Sequence, residues 1–165
     1  MPVREIRLFG DPILRSVTDP IKRFDEATRS LVHDLVDTVL LPGRAGVAAN
    51  QIGVGLRAFS FNINGRTGYI LNPEVVEVRG EPEFIDEGCL SVPGFAFPRE
   101  RFPWARVAGV DWDGQPIEIE GDGLMAQAIQ HEVDHLDGKL YIEGLDPDTK
   151  RNAMRDIRSA EWFRS

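Results

Sequence analysis

The sequence predicts an α+β fold: antiparallel strands packed around a central helix that carries a metal-binding pattern, with an N-terminal and a C-terminal helix. Three observations predict it. Apolar residues recur at helical spacing near both ends, apolar positions alternate through the middle, and short Gly-containing turns join those alternating runs as hairpins.

The elements follow in order. Phe24, Ala27, Leu31, Leu35 and Val39 share one helix face, and Pro42-Gly43 ends that helix. Ala45-Gly46-Val47-Ala48-Ala49-Asn50-Gln51 follows, a run of small residues whose backbone can be approached closely. Phe59, Phe61 and Ile63 then alternate with polar positions, Asn64-Gly65 predicts a type I′ turn, and Gly68-Tyr69-Ile70-Leu71 returns. Val76 and Val78 continue the alternation to Arg79. A second hairpin is expected from Val107–Trp112 through Asp113-Gly114 to Ile117–Ile119. Helical spacing resumes near Leu124, with Gly138 as its C′ residue, and Leu140-Tyr141-Ile142 reads as strand-like. A last helix is expected from Asp146 as N-cap and Pro147 as first residue to about Phe163.

The chain has 165 residues, 42% hydrophobic and 28% charged, enough for one soluble core and without a linker that would divide it. A formal net charge of -8 gives no support to general nucleic-acid or anionic-membrane binding. No apolar run approaches the roughly 18 residues of a membrane span, and the first residues lack a signal peptide's apolar stretch. Cys89 is the one cysteine and cannot form an intrachain disulfide, so a reducing, cytoplasmic location is expected.

Gln130-His131-Glu132-Val133-Asp134-His135 places H-E-x-x-H on the predicted helix. Residues four apart share a helix face, so both imidazoles can reach one ion, and Glu132 stands beside them as a proton acceptor. Leu124, Gln127 and Ala128 precede them on that face. A catalytic metal needs a third protein ligand and an open position. Downstream, Glu143 is too near and Glu161 lies near the end of a surface helix, whereas Cys89 sits upstream in a Gly-flanked turn and offers a thiolate. A buried, inert thiol is the alternative for Cys89. The other histidine, His33, falls on the first helix and reads as a surface or satisfied polar residue.

Three segments, Gly46-Val47-Ala48-Ala49-Asn50-Gln51, Glu87-Gly88-Cys89-Leu90-Ser91 and Gln130–Gly138, together resemble the peptide deformylase family. The resemblance runs from Asp11-Pro12-Ile13-Leu14 to Leu140-Tyr141 and weakens in the C-terminal helix. It implies one catalytic domain over residues 1–165 that removes the formyl group from the N-terminal methionine of nascent polypeptides and releases formate. It implies one divalent ion, typically Fe2+ with Zn2+, Ni2+ or Co2+ as alternatives, on Cys89, His131 and His135. Glu132 would move the proton, while the Gln51 amide and the Leu90 N–H would face the oxyanion. The peptide would run along Ala45, Gly46 and Gly88 in strand-addition fashion, its methionine side chain against Leu124, Ala128 and Ile85.

Gln51 has the alternative of a surface amide. Arg44 stands where the family carries a glycine and Val47 where it carries leucine, with Gly43 able to replace that glycine if the loop is one residue longer. With Gln127 on the histidine face, these departures predict a weakened methionine preference. Two other classes stay open: a peptidase built on the same helix, and a non-catalytic metal- or peptide-binding protein. The basic residues Lys150, Arg151, Arg155, Arg158 and Arg164 read as a solvated helix face, with ribosome contact through the C-terminal helix as the alternative.

Overall fold

The computed structural model describes residues 3–164. In order these form α1 (Glu26–Val39), β1 (Gly46–Ala48), β2 (Ala58–Ile63), β3 (Arg66–Arg79), β4 (Glu83–Gly88), β5 (Ala96–Arg101), β6 (Trp104–Val110), β7 (Pro116–Asp122), α2 (Gly123–Leu136), α3 (Pro147–Arg158) and α4 (Glu161–Arg164). Short 3-10 turns lie at Pro12–Arg15, Ala49–Ile52 and Tyr141–Gly144. Five strands form one antiparallel sheet in the order β1-β2-β3-β6-β7, and β4 and β5 pair only with each other as a separate ribbon. Helices and antiparallel sheets are combined as an α+β fold.

The large sheet is covered on both faces. Phe59, Phe61 and Ile63 point to one side and bury themselves with Ile70, Val107 and Ile119 against Met125, Ile129, Val133 and Leu136 of α2. Ala58 and Leu71 face the other side and pack on Leu31, Val32, Leu35 and Val39 of α1. The alternation in β2 therefore does not divide core from solvent: Ser60 is fully buried, and its hydroxyl donates to the Leu35 carbonyl at 2.8 Å. A third cluster joins Phe9, Leu14, Val92, Tyr141, Ile142, Ala153 and Ile157. Each large apolar side chain so buried contributes about 1.5–3 kcal/mol.

Asn64 and Gly65 both have positive φ, 52° and 78°, as a two-residue type I′ turn requires. The second hairpin forms as expected between β6 and β7, on a different turn. Only Gly114 is left-handed, its N–H donates to the Asp111 carbonyl, and the Asp111 N–H donates to Gln115, so the loop is a type I turn with a glycine bulge. The Asp111 carboxylate accepts from the N–H groups of Asp113 and Gln115 and so favours the wider loop.

Two expectations are corrected. Leu140-Tyr141-Ile142 is no strand: the 3-10 turn that starts at Tyr141 inserts Tyr141 and Ile142, each 1% exposed, into the third cluster. The last helix starts as expected, with Asp146 Oδ1 accepting from the Thr149 N–H at 3.1 Å, but it stops at Arg158. Ile157 and Trp162 are five positions apart, about 140° around a helix, so one continuous helix could not turn both toward the same cluster. The break at Ser159-Ala160 lets Trp162 and Phe163 turn back onto it. At the end of α2, Gly138 has φ 77°, and a Cβ there would lie 2.7 Å from the Arg15 carbonyl oxygen.

Candidate metal centre

The helical spacing of His131 and His135 brings their Nε2 atoms to 3.1 Å from each other. Cys89, just past the end of β4, places its Sγ 3.2 Å from His135 Nε2. The three donor atoms lie within 4.8 Å of one another, and this is the one such His/Cys/carboxylate group among the described residues. His33 stands apart, exposed on α1 with its ring against Trp112. Glu143 and Glu161 are not part of the group.

Partners around the donors fix which atoms face inward. His131 Nδ1 is 2.7 Å from Glu87 Oε2, so its proton has an acceptor there and the Nε2 lone pair is free to converge with the thiol. Glu87 is held in turn by Arg101, through Nε at 2.8 Å and Nη2 at 2.6 Å, and Arg101 Nη1 reaches Asp134 Oδ2 at 2.8 Å. Glu87 and Arg101 are 3% and 4% exposed, and a buried bidentate pair of this kind locks the ring orientation. Nothing local in the sequence announced it, because Arg101 reaches Glu87 only through the unforeseen β4–β5 ribbon. Asn50 contributes from another side, its Nδ2 donating to the His135 carbonyl.

The electrostatics set the two imidazoles apart. Burial opposes charging of His131, yet Glu132, Cys89 and Glu87 outweigh it and raise its pKa well above the usual histidine value. His135 is pushed well below that value by burial and by His131. Glu87 resists the upward push of burial and is held at about 2 by Arg101 and His131. Burial lifts Glu132 to about 7 against the lowering pull of His131. One thiol and two imidazoles turned toward each other are a donor set for zinc, ferrous iron and similar divalent ions, so the residues fit a metal.

A cleft of about 570 Å³ opens beside the donors. Ala45, Gly46, Gln51, Gly88, Cys89, Leu90, Leu124, Ala128, His131 and Glu132 all line it, while His135 is fully buried behind. Ile85, expected in the methionine pocket, is not among the lining residues. Gly43, the alternative to Arg44 at this entrance, is, and so are Pro93 and Gly94, neither of which was singled out for this wall from sequence. Arg44 turns away, its Nη1 donating to the Thr38 carbonyl at 3.1 Å, so Gly43 rather than Arg44 meets the cleft. Gln127 lines it too, but its Nε2 is tied to the Asp86 carbonyl and to Glu87 Oε1 at 3.1 and 3.4 Å.

Gln51 is no surface amide: it is 1% exposed in the 3-10 turn after β1. Its Oε1 accepts from the Ala48 N–H at 2.9 Å, and its Nε2 points to Ser91 Oγ at 3.1 Å and Cys89 Sγ at 3.7 Å. Among the described residues the Leu90 N–H has no backbone partner. Glu132 Oε1 is likewise buried and without a protein partner.

The family model described as polypeptide deformylase matches residues 3–151. The chain belongs to the polypeptide deformylase family. It is a metal-dependent hydrolase that removes the N-terminal formyl group from newly synthesised polypeptides. A peptide deformylase of Acidothermus cellulolyticus is 46% identical, over 98% of this chain and 89% of its own length. Peptide deformylase 1 of Corynebacterium glutamicum is 42% identical over 99% of both. Among solved structures, a peptide deformylase from Legionella pneumophila superposes with a TM-score of 0.87 at 38% identity, covering 94% of this chain and 93% of that one. A deformylase from Synechococcus elongatus, solved with actinonin, gives 0.87 at 27% identity over 99% and 92%. Most of α3 and all of α4 lie beyond the family match.

Proposed function

We propose that residues 1–165 act as one deformylase unit in which Cys89, His131 and His135 hold a single divalent cation and Glu132 moves the proton. The observation that carries this is the meeting of three donor atoms within 4.8 Å beside a buried, unpartnered oxygen of Glu132. A cation held there supplies a Lewis acid and a water acidic enough to attack near neutral pH. Fe2+ is the proposed ion, with Zn2+, Ni2+ and Co2+ suited to the same sulfur and nitrogen set.

Glu132 accepts a proton at Oε1 and delivers it to the departing amine nitrogen. Gln51 Nε2 and the Leu90 N–H are the donors for the developing oxyanion, a reading supported by the burial of Gln51 and by the unengaged Leu90 N–H. The formylated peptide lies extended along Ala45, Gly46 and Gly88, with its first side chain against Leu124 and Ala128. Its substrates are N-formylmethionyl nascent peptides, which places the work in the cytoplasm. No helix of the described residues is long and apolar enough to cross a membrane. For ribosome contact the proposed surface is the exposed side of α3 with Arg151 and Arg155. Co-sedimentation with ribosomes that is unchanged by removing residues 147–165 would rule it out.

The test is formate release from a formyl-methionyl tripeptide after anaerobic loading with iron or nickel. Glu132→Gln is expected to retain the metal and lose about 10²–10⁴-fold in rate. Cys89→Ala is expected to lose the metal. Metal retention by that variant together with cleavage of internal peptide bonds would instead favour a peptidase.

A further inference from the structure

The segment after β4 begins at Cys89 and bends outward at Pro93–Gly94, and both ends line the cleft. Three donors grip its carbonyls at alternate residues. The Val92 N–H donates to Cys89 at 2.9 Å, the Phe9 N–H donates to Ser91 at 2.8 Å, and the Trp162 indole N–H donates to Pro93 at 3.0 Å. The first two grips hold the part nearest the metal donors. The third comes from α4, beyond the family match.

Past Gly94 the chain is held again at Phe95, which stacks on Phe97 against the third cluster, and at Ala96, paired with Gly88, so the Pro93–Gly94 bend is the part between anchors. Proline has no N–H to anchor, and Gly94 is exposed with φ 86° and no atom within 4 Å of where a Cβ would stand. α4 itself is well seated: Phe163 stacks on Phe9 with ring centroids 5.9 Å apart, and Trp162 belongs to the cluster around Val92. A partly buried indole N–H normally finds an acceptor, and here that acceptor is a carbonyl of the substrate cleft.

We propose that Trp162 is a positioning residue for peptide binding: its indole N–H sets the Pro93–Gly94 wall against which the bound chain lies. The proposal rests on the reading of the cleft as the deformylase site. Because Cys89 and Ser91 keep their own grips, losing the third one loosens substrate binding and leaves the chemical step alone.

Trp162→Phe keeps an aromatic ring and removes only the donor. One net hydrogen bond corresponds to about a 3- to 10-fold rise in KM for a formyl-methionyl tripeptide, with kcat, metal content and melting temperature close to those of the parent protein. An unchanged KM overturns the proposal, and so does a parallel loss of kcat and metal, which would mark a purely structural role. Should that variant fail to fold, a protein with Trp104→Phe and Trp112→Phe retains Trp162 as its one tryptophan. Its emission is expected to shift when the product peptide, a methionyl tripeptide, is titrated in, and an unmoved emission counts against the proposal. A parent protein that releases no formate sinks the reading of the site, a result distinct from turnover that is indifferent to Trp162.

Discussion

A Cβ placed on Gly46 would lie 2.5 Å from Glu132 Oε2 and 2.9 Å from Glu132 Cδ. The edge strand β1 thus runs directly over the carboxylate, and Glu132, 3% exposed, has little room in which to retreat. Gly46→Ala is therefore expected to displace the carboxylate by a fraction of an ångström to an ångström and to lower the rate about 100-fold. Metal content should hold, because neither imidazole nor the thiol is touched. Full activity in that variant would show that Glu132 can shift without cost.

Glu87 and Arg101 make a second prediction. Removing Glu87 leaves a buried guanidinium with Asp134 as its remaining close carboxylate and frees His131 to turn. Glu87→Ala should cost about 3–5 kcal/mol of stability and about 10- to 100-fold in metal affinity. Denaturant unfolding of the metal-free protein and competition with a chelator measure the two separately. A stability loss below 1 kcal/mol would mean that water replaces the carboxylate without penalty.

The same pair predicts how the metal-free protein responds to acid. Glu87 is held at about 2, below its ordinary value of 4.5. A depressed carboxylate stabilises the fold fully above the unfolded value and loses that contribution as the pH falls through the folded one. Stability should therefore drop between about pH 4.5 and 2, and Glu87→Gln should flatten that part of the profile. Denaturation midpoints across this range decide it, and equal slopes for parent and variant would count against the assignment.

Gln127 bears on side-chain preference. From sequence alone its amide promised a weaker methionine preference. With that amide tied to Asp86 and Glu87, the residue's polar end is engaged by β4 instead of facing a bound side chain. Formyl-methionyl peptides are therefore expected to react faster than formyl-alanyl ones, and Gln127→Glu, which sets a negative charge beside Glu87, should slow both. Equal rates on the two peptides in the parent protein would restore the original expectation.

What the sequence disclosed follows from how local each signal is. The two histidines are one helical turn apart, and Asn64-Gly65 dictates its own turn, so both were readable from a few adjacent residues. The ring of supports was not. Arg101 reaches Glu87 across a ribbon whose strands, Glu83–Gly88 and Ala96–Arg101, are short and interrupted by proline and glycine. Ser60 looked solvent-facing because alternation cannot reveal that a second helix covers the other side of the sheet. The helix break before Trp162 is set by the shape of the third cluster, which no spacing near Ser159 encodes.

The separation of Glu87 from His131 also has a consequence in time. The two are 44 residues apart in the chain, and Asn50 is 85 residues from the carbonyl it holds at His135. At synthesis rates of about 5–20 residues per second, the ribbon and its thiol wait roughly 2–9 s for the histidines to be made. Throughout that interval the thiol lacks both imidazoles that converge on it in the folded protein. The enzyme that trims other newborn chains thus passes through an infancy of its own, in which its future ligand set is still incomplete.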